Sequence, residues 1–122
     1  MKKILFIEDE AALQEAFGGF LGQAGYKVIN ALDGEIGLRL AKTEKPDLIL
    51  LDIVLPKYNG FEVLERLKTE KKTENIPVIV LTNMEKIDDI NKAIELGAKT
   101  YLVKTQYELG EVMEKIKKII GK

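Results

Sequence analysis

Leu48-Ile49-Leu50-Leu51-Asp52 is the stretch that decides the fold. Four consecutive large apolar residues leave no polar face, and the run stops on a carboxylate. A strand of that kind is buried on both sides, as in a parallel sheet covered by helices. The pattern recurs along the chain. Ile4 to Ile7 ends in Glu8-Asp9, Val78 to Leu81 ends in Thr82-Asn83, and Tyr101 to Val103 ends in Lys104. Val28 to Ala31 is a fifth run, with no charged group until Asp33.

Segments of helical period separate these runs. Leu13, Phe17, Phe20 and Ala24 share one face of a first helix, Ile36 and Leu40 of a second, and Phe61, Leu64 and Leu67 of a third. Ile87, Ile90 and Ile94 mark a fourth, and Val112, Ile116 and Ile119 a fifth. Strand and helix alternate five times, which predicts an α/β, doubly wound parallel sheet with helices on both faces. Gly25 and Gly97 sit just past helix ends, where a left-handed residue is needed. Asn59 and Glu62 have capping-box spacing at the start of the third helix. At the last helix both Thr105–Glu108 and Glu108–Glu111 have that spacing, so two starts are open. Pro46, Pro56 and Pro77 fall at joints between elements.

The chain has 122 residues, enough for one domain over residues 1–122 with a real core. Its 19 Lys and Arg against 20 Asp and Glu leave a net charge of −1, which argues against a nucleic-acid-binding module. Zero Cys excludes disulfide scaffolds, thiolate metal sites and cysteine nucleophiles. Zero His excludes a Ser-His-Asp triad, a His-ligated metal and a phosphohistidine on this chain. No apolar run approaches a membrane span, and the four apolar residues after Met1-Lys2-Lys3 are too few for a signal peptide. A cytoplasmic protein with no membrane partner is expected.

Ligands of an open parallel sheet bind beyond the carboxyl ends of its strands. There Glu8, Asp9 and Asp52 converge with Thr82 and Lys104 from four strands. Each alone has an ordinary reading as a helix cap or a solvated loop residue. Together, three carboxylates repel one another and call for a cation, and with no His or Cys nearby oxygen-ligated Mg²⁺ is favoured. A divalent ion and an ammonium beside a carboxylate shield an incoming phosphoryl group, so the carboxylate can act as a nucleophile.

These residues resemble the receiver domains of bacterial two-component response regulators. The resemblance rests on Glu8-Asp9, Leu51-Asp52, Leu55-Pro56-Lys57-Tyr58-Asn59-Gly60, Thr82, Gly97-Ala98, Tyr101 and Lys104, in order along essentially the whole chain. It implies a flavodoxin-like sheet of strand order 2-1-3-4-5 with five helices. It implies that Asp52 is the phosphoacceptor, charged by a sensor histidine kinase or a histidine phosphotransfer protein. Asp9, Asp52 and the backbone carbonyl of Val54 would hold Mg²⁺ (or Mn²⁺), with Glu8 acting mainly through water. Lys104 would pair with the phosphoryl group. Thr82 and Tyr101 would shift the face of the fourth helix, fifth strand and fifth helix toward a downstream protein target. Such a protein promotes its own phosphorylation and is not a turnover enzyme. With the whole length absorbed by one receiver, a stand-alone domain reading out by protein contact is expected.

The chain departs from that family in places. Thr105 stands where the family usually has Pro after the Lys, so a trans Lys104–Thr105 bond is expected, because a non-proline cis bond costs about 2.5–4 kcal/mol. Val54 and Met84, two residues beyond Asp52 and Thr82, are apolar and cannot orient a water. Slow self-dephosphorylation follows. Gly18, Gly19 and Gly22 lie opposite the apolar stripe of the first helix. Drift explains them, but a bare face at Gly18 and Gly22 would also let a kinase helix approach closely. Lys115, Lys117, Lys118 and Lys122 crowd the last helix end and read as a solvated face.

Other functions fit less well. An aspartyl phosphohydrolase needs Asp-x-Asp, and the third position here is Val54. A flavin protein needs a Ser/Thr-rich loop after the first strand, where Glu8-Asp9 would repel a phosphate. The remaining alternative is a receiver-like interaction domain that works without phosphorylation.

Overall fold

Each apolar run becomes a strand, and each strand leads into a helix. The computed structural model describes residues 1–121. Its elements are β1 (Lys3–Ile7), α1 (Ala11–Gln23), β2 (Lys27–Ala31), α2 (Gly34–Glu44), β3 (Leu48–Leu51), α3 (Gly60–Thr69), β4 (Val78–Thr82), α4 (Ile87–Glu95), β5 (Thr100–Val103) and α5 (Leu109–Ile120). A short 3-10 turn, Lys104–Gln106, joins β5 to α5. All strand pairs are parallel, in the order β2-β1-β3-β4-β5.

The period of two along each strand divides the interior into two cores. Leu5, Ile7, Ile49, Leu51, Val78 and Val80 face α2, α3 and Ala93 of α4. Ile4, Phe6, Leu48, Leu50, Ile79 and Leu81 face Phe17 and Leu21 of α1 and Val112 and Ile116 of α5. Truncating a residue such as Leu50, which is fully buried, to Ala costs about 2–5 kcal/mol. Phe6 and Phe17 meet edge to face at 5.2 Å between ring centres, pinning α1 to β1.

Several expectations are corrected in detail. β2 is an edge strand paired only with β1, so it is half-exposed rather than buried on both faces. α4 is turned so that Ala93 meets the sheet, and Ile87 and Ile94 are 72% and 47% exposed. On α1 the most buried positions are Gln14, Phe17 and Leu21, while Phe20 and Ala24 are only half-buried. Asn59 caps α3 by accepting from the N–H of Phe61, without the return bond from Glu62 that a full capping box requires. The last helix opens on the reciprocal Glu108–Glu111 box, and Thr105 lies in the turn before it. Gly25 and Gly97 have φ of 96° and 109°, as their places after helix ends require. All peptide bonds among the described residues are trans, including Lys104–Thr105. Lys115, Lys117 and Lys118 lie in α5; Lys122 is outside the described residues.

Candidate functional site

The sheet's own hydrogen bonds carry the acids into place. Beyond the end of β1, the N–H of Glu8 still donates to the carbonyl of Ala31 at 3.0 Å. Beyond the end of β3, the N–H of Asp52 donates to the carbonyl of Ile7 at 3.0 Å. Gly60 holds the following loop. Its N–H donates to the carbonyl of Ile53 at 2.9 Å. A Cβ there would lie 2.3 Å from the Ile53 Cα and carbonyl oxygen, so only glycine fits.

Glu8, Asp9, Asp52, Val54, Thr82 and Lys104 line a cavity of about 390 Å³, together with Glu10 and Asn83. Glu8, Asp52 and Thr82 are buried and Asp9 is exposed. The Lys104 ammonium donates to Glu8 Oε1 at 2.6 Å and to Asp52 Oδ2 at 2.8 Å. Glu8 Oε2 accepts from the N–H of Glu10, and Asp52 Oδ1 from the N–H of Val54, both at 3.0 Å. Every oxygen of the two buried carboxylates therefore has a donor. The Lys104 side chain reaches both acids without a proline at position 105.

Burial pushes the Glu8 carboxyl up to about 7, against the pull of Lys104 and the Glu10 N–H. Burial alone would lower Lys104, but its bonds to Asp52 and Glu8 hold it above the usual lysine value. Burial, followed by the charges of Asp89 and Asp52, raises the Tyr101 phenol.

Glu8, Asp9 and Asp52 each offer an oxygen, all within 4.8 Å of one another. An all-oxygen set of three carboxylates fits a hard divalent cation such as Mg²⁺ or Mn²⁺.

Thr82 and Tyr101 are joined through one backbone unit. The Tyr101 hydroxyl donates to the carbonyl of Met84 at 2.8 Å, and the N–H of Met84 makes a long 3.5 Å contact to Thr82 Oγ1. Gly18 and Gly22 lie away from the cavity on α1, where an added Cβ would meet nothing within 4 Å.

Sequence reasoning missed Gln14. It is buried, and its Nε2 donates to the carbonyls of Glu8 at 2.6 Å, Ala31 at 2.8 Å and Phe6 at 3.3 Å. This amide ties the ends of β1 and β2 together directly beneath Glu8. The signal was present, since Gln14, Phe17 and Leu21 have core-facing helical spacing.

A family model described as the response regulator receiver domain matches residues 4–117. The chain is 38% identical over 120 residues to the DNA-binding dual master transcriptional regulator RpaA of Synechocystis sp., spanning 98% of this chain and 49% of that protein. It spans about half the length of the curated relatives it matches. Its fold superposes on the BeF3-activated N-terminal receiver domain of Klebsiella pneumoniae RstA with a TM-score of 0.90, at 26% identity, over 99% of this chain and 100% of that one. It is also similar to the Mn(2+)-bound form of response regulator Rcp1, at 31% identity and a TM-score of 0.81, over 96% of this chain and 92% of that one.

Proposed function

This chain belongs to the response regulator receiver domain family, and on that premise we propose that Asp52 accepts a phosphoryl group from a phosphohistidine on a partner protein. The observation that carries the reading is the buried Asp52 carboxylate, 2.8 Å from the Lys104 ammonium, with Thr82 on the wall of the same cavity. The partner is a sensor histidine kinase or a histidine phosphotransfer protein, because this chain has no His.

An Asp52 oxygen attacks phosphorus, the P–N bond breaks, and the imidazole leaves with the bonding pair and takes a proton. Asp9, Asp52 and the backbone carbonyl of Val54 would hold Mg²⁺ or Mn²⁺, with Glu8 acting mainly through water. The bound cation supplies positive charge for the phosphoryl oxygens. Lys104 lets go of Asp52 and pairs with a phosphoryl oxygen instead. Thr82 donates its hydroxyl to another. The protein carries one phosphoryl group and is not a turnover enzyme on external substrates.

Any movement of Thr82 reaches Tyr101 through the Met84 backbone, whose carbonyl accepts from the Tyr101 hydroxyl and whose N–H makes the long contact to Thr82 Oγ1. That link biases the face made by α4, β5 and α5, where the chain meets its target protein. Residues 1–122 act here as a single receiver domain, and no nucleic acid or membrane contact is assigned to it. No helix among the described residues is long and apolar enough to cross a membrane. A cytoplasmic location belongs to the proposal, since the phosphohistidine donors are there.

Beryllofluoride with Mg²⁺ mimics the acyl phosphate and tests the switch. Amide NMR shifts should move at Thr82, Met84, Tyr101 and along α4. Shifts confined to the neighbours of Glu8, Asp52 and Lys104 would favour a phosphorylation-independent interaction domain.

A further inference from the structure

Arginine is rare in this chain: Arg39 and Arg66 are the two among 19 basic residues. Both line the same groove, between α2 and α3. It encloses about 460 Å³, within the size range of small-ligand sites.

Helical spacing assembles this groove. On α2, Glu35, Arg39 and Lys42 follow at intervals of four and three, so they form one stripe. On α3, Arg66 faces that stripe, and Lys72 follows just beyond the helix end. Lys42 is paired with Glu70 at 2.7 Å. Arg39, Arg66 and Lys72 have no ion-pair partner among the described residues. Three cations without an ion-pair partner among the described residues thus line one groove of a protein whose net charge is −1. The Arg66 guanidinium lies 5.9 Å from the centre of the Tyr58 ring, which is only half-buried at the groove's edge.

We propose that the α2–α3 groove is a second ligand site that binds a nucleoside diphosphate. Two guanidinium forks from opposite walls suit a phosphate chain, because each presents paired donors that a lysine cannot. The Tyr58 ring, now covered by the Arg66 guanidinium, becomes a stacking surface for a base once Arg66 turns to the phosphates. Glu35 is the one acid of the groove with no cationic partner, and it can accept from ribose hydroxyls. A bare polyanion would use the arginines but neither Tyr58 nor Glu35. The site shares no residue with the cavity around Asp52.

Calorimetric titration of the full chain with ADP, in EDTA and low salt, tests this. One ADP should bind per chain, and adenosine and pyrophosphate should each bind about tenfold more weakly or worse. The R39Q/R66Q double variant should lose about tenfold or more in ADP affinity, while K27Q/K118Q, which removes the same charge elsewhere, should lose less than about twofold. Phosphorylation of R39Q/R66Q by a small phosphodonor should proceed at the wild-type rate, which shows that the variant is folded. No ADP binding at millimolar concentration would overturn the proposal. So would pyrophosphate binding as tightly as ADP, equal ADP affinity in R39Q/R66Q, or binding of polyglutamate in place of ADP.

Discussion

The Lys104 ammonium lies 2.8 Å from Oδ2 of Asp52, a residue 52 positions away in sequence. The same ammonium lies 2.6 Å from Oε1 of Glu8. One cation therefore bridges two buried acids that would otherwise repel each other. The arrangement is stable at rest and places a positive charge where a phosphoryl oxygen would arrive.

Lys104→Met should separate these two roles. Phosphorylation by a small phosphodonor should slow by about 10²–10³-fold, the usual loss when one preorganised charge is removed. Mg²⁺ affinity should rise, because Glu8 and Asp52 lose their competing cation. Slower phosphorylation with weaker Mg²⁺ binding would instead mean a collapsed site. Rate measurements and calorimetry on the same samples check both.

Cation binding should depend on pH through Glu8. Its carboxyl is pushed up to about 7 by burial. A cation needs the ionised form, so Mg²⁺ affinity should fall as pH drops below 7, by about tenfold per unit at the limit of one proton. Stability of the metal-free protein runs the other way. The folded pKa lies above the ordinary glutamate value of 4.5, so the contribution of Glu8 is full below that value and is lost as pH rises through about 7. Glu8→Gln should flatten the stability dependence between about pH 4.5 and 7, the interval between the two values, and the Mg²⁺ dependence below about pH 7.

The phosphoryl group should be long-lived. Val54 lines the cavity and is 58% exposed, yet it has no group that orients a water. Val54→Asn together with Met84→Gln should shorten the half-life by about tenfold or more. A wild-type half-life that is already brief, and unchanged by Ala at both positions, would remove this idea.

Gly18→Ala and Gly22→Ala should each stabilise the protein by about 0.8–1 kcal/mol, since both lie in α1 and an added Cβ meets nothing within 4 Å. If the bare face receives a kinase helix, transfer from the kinase slows while phosphorylation by a small donor does not change. Unchanged transfer in the stabilised variant would mark these glycines as drift. Thermal unfolding and labelled phosphotransfer read the two effects separately.

The central strands were legible because Leu48 to Leu51 is apolar without interruption, and burial on both faces leaves that trace. The site was legible because strand ends in a parallel sheet share one edge, so Glu8, Asp52, Thr82 and Lys104 had to meet. Periodicity shows that a helix has a face, but not what the face meets. That is why Ile87, Ile90 and Ile94 read as a core stripe, whereas Ala93 makes the contact. β2 read as buried because its composition does not say that it lies at the sheet edge. Two capping boxes overlapped at Glu108, and only the turn from Lys104 to Gln106 decides between them. Gln14 escaped because an amide on a core face was read past in favour of its apolar neighbours. The pairing of Arg39 with Arg66 needs α2 and α3 side by side, which no local pattern announces.

The most direct test is the intact mass of the protein after incubation with Mg²⁺ and acetyl phosphate. Wild type should gain the mass of one phosphoryl group and Asp52→Asn none. No gain in wild type, or an equal gain in Asp52→Asn, would contradict the assignment of Asp52 as the phosphoacceptor.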